Sequence, residues 1–294
     1  MSFSQEIKQE LLSVYVPRRS QARWLASGLF LHTRRCDEQE MSLASELEGV
    51  ADLYEVLARR LLGKQRFTLV RQAARSQRKA LYIAEIPEQA DRTALITQFS
   101  AETPGQEEFG PYLAGAYLAC GNMSDPRKNY HLEFVLRDRA LRDDLAGLLE
   151  TAIPGVRTAS RRDSYIAYYK ECAQIEDLLT LMGATKSSLA VIDIEMIKEV
   201  RNRANRVTNC ETANIDKVVS AAHVQVEDIR LILDKAGESA LPETVREAAR
   251  LRLENPDLSL SELSALLETP LSRSGMHHRF RKIAQIAASL RQET

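Results

Sequence analysis

The chain has 294 residues, which is enough for two or three domains that each bury a core. Hydrophobic residues make up 44% of it and charged residues 28%, and 40 basic residues balance 41 acidic ones, as in an ordinary globular protein. No run of 18 apolar residues occurs, and residues 1–16 lack the charged start and apolar core of a signal peptide. We therefore expect a cytoplasmic protein that does not act in a membrane.

Helical and strand-like patterns alternate through the first 185 residues. In the first half, helices are predicted at 2–14, 20–31 and 50–62 and strands at 40–44, 66–71 and 80–86. In the second half, helices are predicted at 106–120, 140–153 and 174–182 and strands at 130–136, 156–160 and 165–170. The halves follow one order when Gly28 is matched to Gly115, an offset of 87 residues. The pattern predicts a duplicated α-β-α-β-β unit.

A long helix is expected next, from about residue 189 to 208, where asparagine and arginine recur. These residues have two interpretations. Asn205 or Asn209 ends the helix or joins it to a neighbour, or else Arg201, Arg203 and Arg206 contact phosphates or the N-terminal domain.

The C-terminal region predicts three helices. The first covers residues 243–254 and stops at Asn255-Pro256, and the second covers 258–267, with Ser259 or Ser261 as its cap. Pro270 breaks the second helix, and Ser272 can cap a third. Three helices with a tight turn between the last two are typical of a helix-turn-helix domain.

The segment 269–291 contains four arginines, one lysine and no acidic residue, in a chain whose charges otherwise balance. Its apolar residues recur at helical spacing, and the opposite side carries polar and basic residues. The alternative is a helical bundle with a solvated basic face. Combined with the preceding short helix and turn, the segment favours a DNA-recognition helix. Its apolar stripe comprises Met276, Phe280, Ile283, Ala287 and Leu290.

The four cysteines and five histidines form no set with metal-ligand spacing. Cys36, Cys120, Cys172 and Cys210 are far apart, so reduced and mostly buried thiols are expected. The adjacent pair at 277–278 points its rings about 100° apart on a helix and cannot hold one metal. No metal and no cofactor is expected.

The stretch LAGAYLACG at 113–121 resembles the LAGLIDADG signature of homing endonucleases, in which two such helices pack through small residues. Gly28, Gly115 and Ala119 would permit that approach. The resemblance places the family's metal-binding acidic residue at Cys120 and, in the first copy, at Thr33. A thiol and a hydroxyl do not supply the anionic oxygen ligands that Mg²⁺ requires, so no cleavage is expected.

The same resemblance places a surface of strands against DNA. The first predicted hairpin carries six basic residues and no acidic one. Arg157, Arg161 and Arg162 lie in the equivalent second hairpin, where Asp163 follows them. These residues either prevent the sheet edges from pairing with another chain or bind phosphates. Loss of the acidic residues also fits a surface that has been turned to protein or ligand binding. The candidate phosphate contacts of the first hairpin are Lys64, Arg66, Arg71, Arg75, Arg78 and Lys79.

Three groups of residues, in order along the chain, resemble the WhiA family of bacterial regulators. They are PYLAGAYLACG at 111–121 with DP at 125–126 and YHLE at 130–133, NRANRVTNCE at 202–211 with AN at 213–214, and SRSGMHHRFRK at 272–282. The first repeat departs from the pattern, since LHTRR at 31–35 stands where a glycine-ended signature is expected. The resemblance implies a degenerate two-repeat LAGLIDADG fold, a helix-turn-helix domain, and transcription control in cell division and sporulation.

The sequence therefore predicts an α+β protein in which a duplicated LAGLIDADG-like domain precedes an all-α helix-turn-helix domain. The expected bounds are 1–88 and 89–188 for the repeats, 189–215 for a linker helix and 216–294 for the DNA-binding domain. Double-stranded promoter DNA is the expected partner, in the nucleoid; other transcription factors and RNA polymerase are further candidates. The alternative function is a protein- or ligand-binding module on a catalytically inactive endonuclease fold, with DNA contact secondary.

Within the third C-terminal helix, each candidate residue has an expected role. Ser272 caps the helix, and Arg273 reaches a phosphate or a guanine edge. Ser274, His278 and Arg281 face bases, with His277 beside them, while Arg279 and Lys282 neutralise phosphates. Arg203 and Arg206 are further candidate phosphate contacts.

Overall fold

A computed structural model describes residues 1–15, 19–63, 70–76, 79–100, 103–162 and 164–292. The chain divides into two compact units, Met1–Lys198 and Glu199–Thr294. Among the described helices, none combines the length and apolar character that a membrane span requires.

The first unit repeats one order of elements, helix, two strands, helix, two strands and helix, after an initial helix α1 (Phe3–Val14). The first copy comprises α2 (Arg19–Leu31), β1 (Arg35–Cys36), β2 (Met41–Ser45), α3 (Glu48–Leu62), β3 (Val70–Ser76), β4 (Lys79–Glu85) and α4 (Gln89–Ser100). The second comprises α5 (Phe109–Cys120), β5 (Gly121–Met123), β6 (Leu132–Leu136), α6 (Arg139–Ala152), β7 (Arg157–Arg161), β8 (Ser164–Tyr169) and α7 (Cys172–Leu181). The predicted duplication is confirmed, but the short strands β1 and β5 were not among the predicted elements.

Each copy builds one antiparallel sheet of four strands. The strand orders are β1-β2-β4-β3 and β5-β6-β8-β7, so the two sheets have the same topology. Alternation along β2 and β6 buries every second side chain, Leu43 in the first sheet and Phe134 in the second, against the helices. Ala44 follows Leu43 in β2, and Val135 follows Phe134 in β6. Both are exposed on the face of the sheet opposite the helices.

The helices α2 and α5 pack against each other through their glycines at the centre of the first unit. A Cβ on Gly28 would lie 1.9 Å from the carbonyl oxygen of Tyr112, and one on Gly115 would lie 2.1 Å from that of Leu25. No side chain fits in either place, so the two backbones approach as closely as glycine allows. The predicted role of both glycines is confirmed, and residues Phe109 to Leu118 of α5 are buried throughout.

The second unit is all-helical and contains the end of α8 (Thr185–Ala236) with α9 (Glu243–Glu254), α10 (Leu260–Ala265) and α11 (Arg273–Gln292). Ser259 caps α10 in a capping box: its hydroxyl accepts the Glu262 amide, and the Glu262 side chain accepts the Ser259 amide. The core joins all four helices through Ile229, Ala248, Leu263, Met276 and Phe280. The predicted helix-turn-helix arrangement is confirmed.

Several predicted boundaries are wrong, and helix α4 was not predicted at all. Only Leu95 and Phe99 of α4 are buried apolar residues, too few for a recognisable helical period. Residues 66–69 of the first predicted hairpin strand lie outside the described residues, and the described strand continues past 71 to Ser76. The helix expected to end near residue 208 continues to Ala236, so neither Asn205 nor Asn209 ends it.

Candidate nucleic-acid interface

The N-terminus of α11 is closed by the predicted cap. The Ser272 hydroxyl accepts a hydrogen bond from the Gly275 amide at 3.2 Å and lies 2.8 Å from the Ser274 hydroxyl. Capping satisfies one of the amides that a helix start leaves unpaired. It fixes where α11 begins and therefore which side chains share a face.

One face of α11 is buried and the opposite face is exposed, as the spacing predicts. Met276, Phe280, Ile283 and Ala287 are buried in the core of the second unit. The exposed face begins at Arg273 and carries most of the predicted interface residues. Exposed side chains on it are those of Ser274, His277, His278, Arg281, Lys282 and Gln285. No acidic residue occurs in α11, so this face is positively charged.

Arg279 is placed differently from its expected role. Its guanidinium lies 3.7 Å from the carboxylate of Glu247 on α9, and only 22% of its side chain is exposed. Glu247 also accepts the Glu268 amide at 2.8 Å. Arg279 therefore faces α9 rather than solvent, whereas Lys282 stays on the exposed face.

Arg252 holds the turn that precedes α10, a role that sequence reasoning missed. The residue is 1% exposed, and its Nη1 donates to the carbonyl oxygens of Asn255, Pro256 and Leu258 at 3.3, 3.2 and 2.6 Å. Its Nε donates to Gln225 at 3.0 Å, and the guanidinium lies over the ring of Phe280. A buried arginine is tolerated because carbonyl oxygens satisfy its donors. It thus ties α8, α9, the turn and α11 together.

The candidate phosphate contacts on α8, Arg203 and Arg206, are exposed on the helix surface, as is Arg201. Cys210 is exposed as well, against the expectation of mostly buried thiols. In the first unit, Lys64, Arg66 and Arg78 lie outside the described residues, as do the side chains of Arg71, Arg75 and Lys79. Arg157, Arg161 and Arg162 of the second hairpin are exposed.

The two positions of the lost acidic residues lie at the ends of α2 and α5. The hydroxyl of Thr33, which is 1% exposed, donates to the carbonyl oxygens of Phe30 and Arg35. Burial raises the pKa of the Cys120 thiol to about 12, so it stays protonated. Neither side chain offers an anionic ligand.

Basic side chains bind the carbonyl groups at these helix ends. Arg137 donates to the carbonyl oxygens of Leu31 and Thr33 at 2.7 and 3.0 Å. Lys8 donates to the carbonyl oxygen of Leu118 at 3.1 Å, and burial lowers its pKa to about 8. A cation at the C-terminal end of a helix is favoured by the helix dipole. At each end, a side chain of the protein supplies a positive charge.

Three side chains of types that can bind a metal lie together between α7 and α8, and the sequence did not predict this group. Ligand atoms of Cys172, Glu176 and Glu195 lie within 4.8 Å of one another. The Cys172 thiol donates to the Glu176 carboxylate at 3.1 Å, and burial together with the two carboxylates raises its pKa. The four-residue step from Cys172 to Glu176 on one helix was the available signal, but Glu195 comes from another helix.

Comparisons with known proteins agree with this arrangement. A model of the WhiA LAGLIDADG-like domain matches residues 109–201, and a model of the WhiA C-terminal helix-turn-helix domain matches residues 204–287. The full-length DUF199/WhiA structure from Thermotoga maritima aligns over 98% of this chain and 99% of its own, with a TM-score of 0.58 and 23% identity. At that identity, the likeness supports the fold.

Curated relatives named "Probable cell division protein WhiA" are more similar in sequence. The protein from Clostridium acetobutylicum is 47% identical over 182 residues, which are 62% of this chain and 57% of the relative. The protein from Clostridium beijerinckii is 46% identical over 61% of this chain and 57% of its own length. These matches span less than two thirds of the relatives.

The fold and the site define a helix-turn-helix protein that also carries a duplicated, degenerate LAGLIDADG-like unit. The chain belongs to the WhiA family. The family and fold class expected from the sequence are confirmed.

Proposed function

We propose that this chain is a sequence-specific DNA-binding regulator of transcription in bacterial cell division and, in sporulating relatives, sporulation, with no nuclease activity. The single observation that carries the proposal is the exposed, acid-free face of a capped α11 in a helix-turn-helix unit. The names of the curated relatives support the link to cell division.

The geometry of α11 suits the major groove. That groove is about 12 Å wide and admits one helix, whose first turns contact base edges. Ser274, His278 and Arg281 lie on one exposed side of α11. Hydroxyl, imidazole and guanidinium groups can all donate hydrogen bonds to base edges, and arginine pairs with guanine through two bonds. We assign these three residues to base contacts.

Phosphate contacts would come from the flanks of the same helix. Arg273 is exposed in the first turn, and Lys282 is exposed further along. Cations at these positions would neutralise phosphates without reading sequence. Arg279 is a weaker candidate than its neighbours because Glu247 already faces its guanidinium.

The absence of cleavage rests on the ends of α2 and α5. A protonated thiol and a hydrogen-bonded hydroxyl occupy the positions of the two acidic residues, and Arg137 and Lys8 bind the nearby carbonyl groups. Mg²⁺ prefers anionic oxygen ligands and is repelled by fixed cations. Nicking of supercoiled plasmid by the purified chain in Mg²⁺ or Mn²⁺ would contradict this part of the proposal.

A titration of Arg281→Ala tests the reading helix. A duplex recovered by selection with the intact chain is titrated against wild type, Arg281→Ala and the charge-matched control Arg250→Ala. Arg250 is exposed on α9, where its guanidinium lies near the Glu254 carboxylate. Loss of one base-reading arginine costs about 1–3 kcal/mol, so Arg281→Ala should bind roughly 5- to 150-fold more weakly, with Arg250→Ala near wild type.

A second duplex of scrambled sequence separates base reading from charge. Arg281→Ala should lose more affinity for the selected duplex than for the scrambled one. Equal losses on both duplexes would reduce Arg281 to a phosphate contact, and an unchanged affinity on both would remove it from the interface.

A further inference from the structure

A cavity in the first unit gathers positive charge that the proposed function does not use. Its volume is about 1000 Å³, and it lies where the ends of α2 and α5 meet the exposed faces of both sheets. Five arginines line it, and none of its described lining residues is acidic. We call it the arginine cavity; its arginines are Arg34, Arg35, Arg137, Arg161 and Arg162.

Three of the five arginines have charges that the described structure does not neutralise. Arg35 pairs with Glu40, and Arg137 binds helix carbonyl groups and approaches Asp138. Arg34, Arg161 and Arg162 are exposed and form no ion pair with any described carboxylate. Like charges gathered around one cavity repel each other unless an anion joins them. This arrangement favours a multiply charged anion.

The backbone turns tightly at the rim of the cavity, at Arg162. Arg162 has φ of 44°, and it is the single described non-glycine residue with positive φ. That conformation is uncommon for a residue with a side chain and costs about 1 kcal/mol or more. Arg161 pairs with Ser164, and a two-residue connection between paired strands requires positive φ at its first residue, so the tight turn accounts for this conformation.

Apolar side chains from both sheets form part of the cavity wall, beside the arginines and Ser164. Ala44 and Leu81 line it from the first sheet, and Val135 and Ile166 from the second, where Val135 pairs with Ile166 across the strands. A sheet that reads base edges needs polar side chains on the face that it turns to DNA. These apolar side chains instead fit the organic part of a small ligand, and cavities of about 300–1000 Å³ hold such ligands.

We propose that the arginine cavity binds a phosphorylated small molecule of nucleotide size. Its phosphates contact Arg34, Arg161 and Arg162, because planar guanidinium groups match phosphate oxygens. Its base or other organic group packs against Val135, Ile166 and the first sheet. This site is independent of the DNA contact proposed for α11.

Calorimetric titration of the intact chain with ATP, in EDTA, tests the proposal, with tripolyphosphate as the probe for charge alone. Wild type should bind one ATP saturably and tripolyphosphate more weakly. The double variant Arg34→Ala/Arg161→Ala should bind ATP at least tenfold more weakly, because it lacks two of the proposed phosphate contacts. Both side chains are exposed, so the substitutions leave the core unchanged. The charge-matched control Arg59→Ala/Arg127→Ala, on exposed side chains outside the cavity, should bind ATP as wild type does.

Three results would overturn the proposal. One is that neither ATP nor tripolyphosphate binds, and another is that both double variants bind ATP equally. The third is that Arg34→Ala/Arg161→Ala binds ATP as wild type does but no longer binds duplex DNA, which would assign the cavity to nucleic-acid binding. Arg281→Ala should leave ATP binding unchanged, so failure of this site and failure of the α11 interface are distinguishable.

Discussion

His32, at the end of α2 beside the arginine cavity, is buried with a neutral ring. It is 2% exposed, its Nδ1 lies 2.8 Å from the carbonyl oxygen of Gly28, and its ring meets the edge of Tyr112. Burial lowers the pKa of His32 from 6.5 to about 4, because a charged imidazole would lose its hydration there. The unfolded chain therefore takes up a proton at a higher pH than the folded chain does.

The sign of this shift predicts an acid-sensitive first unit. Because the pKa of His32 is lower in the folded chain than in the unfolded chain, the neutral ring stabilises the folded state above pH 6.5. This stabilisation is lost as the pH falls from 6.5 towards 4. Between pH 7 and pH 5, wild type should lose about 2 kcal/mol more unfolding free energy than His32→Gln, which does not titrate. Urea unfolding followed by the fluorescence of Trp24, the single tryptophan and a residue of α2, measures both proteins.

The control is to compare, within each protein, the unfolding free energy at pH 7 with that at pH 5. This difference cancels any pH-independent effect of the substitution on stability. Parallel losses in wild type and His32→Gln would show that His32 does not titrate differently in the folded and unfolded chain.

Sequence reasoning at the residue scale succeeded where helical spacing decides exposure. Capping by Ser272 and the exposure of Ser274, His278 and Arg281 follow from the period of one helix. The pairing of Arg279 with Glu247 depends on how α9 packs against α11, and the burial of Arg252 depends on the turn at residues 255–258. Such contacts join distant positions, so no local pattern records them.

At the scale of elements, the crossing of α2 and α5 holds the first unit together. Gly115→Ala places a methyl group 2.1 Å from the backbone oxygen of Leu25, which cannot move aside as a side chain can. We expect the free energy of unfolding to fall by about 2–3 kcal/mol, as measured by urea titration of Trp24 fluorescence. Gly147→Ala is the control, since no described atom lies within 4 Å of the added Cβ on α6.

The two alanine substitutions should have opposite signs. Replacing glycine in an exposed helix interior stabilises by about 0.5–1 kcal/mol, so Gly147→Ala should be as stable as wild type or more so. A Gly115→Ala protein no less stable than wild type would mean that the helices do not meet at these glycines.

Helix α8 shows which signal was present in the sequence and overlooked. Between Gly183, with φ of 89°, and Gly237, with φ of 74°, there is neither glycine nor proline. Both glycines adopt the positive φ typical of helix ends. The asparagines of residues 202–214 weaken helix propensity only slightly, so nothing between the glycines stops the helix. For α4, by contrast, two buried apolar residues gave no comparable signal.

At the scale of the whole molecule, the chain combines a duplicated LAGLIDADG-like unit with a helix-turn-helix unit. The duplicated order of elements and the glycine pair were predictable because duplication and close packing leave repeated sequence marks. The arginine cavity was not, because its side chains come from both repeats and meet only after folding. The phosphates of its proposed occupant are bound by guanidinium groups, a chemistry unrelated to base reading.

The central claim is that α11 reads DNA sequence, and selection from a pool of random duplexes tests it most directly. The intact wild-type chain and the triple variant Ser274→Ala/His278→Ala/Arg281→Ala are each carried through the same selection. Wild type should enrich one motif, because base-edge contacts discriminate sequence, and the triple variant should enrich none or a different one. Enrichment of the same motif to the same degree by the triple variant would contradict the claim.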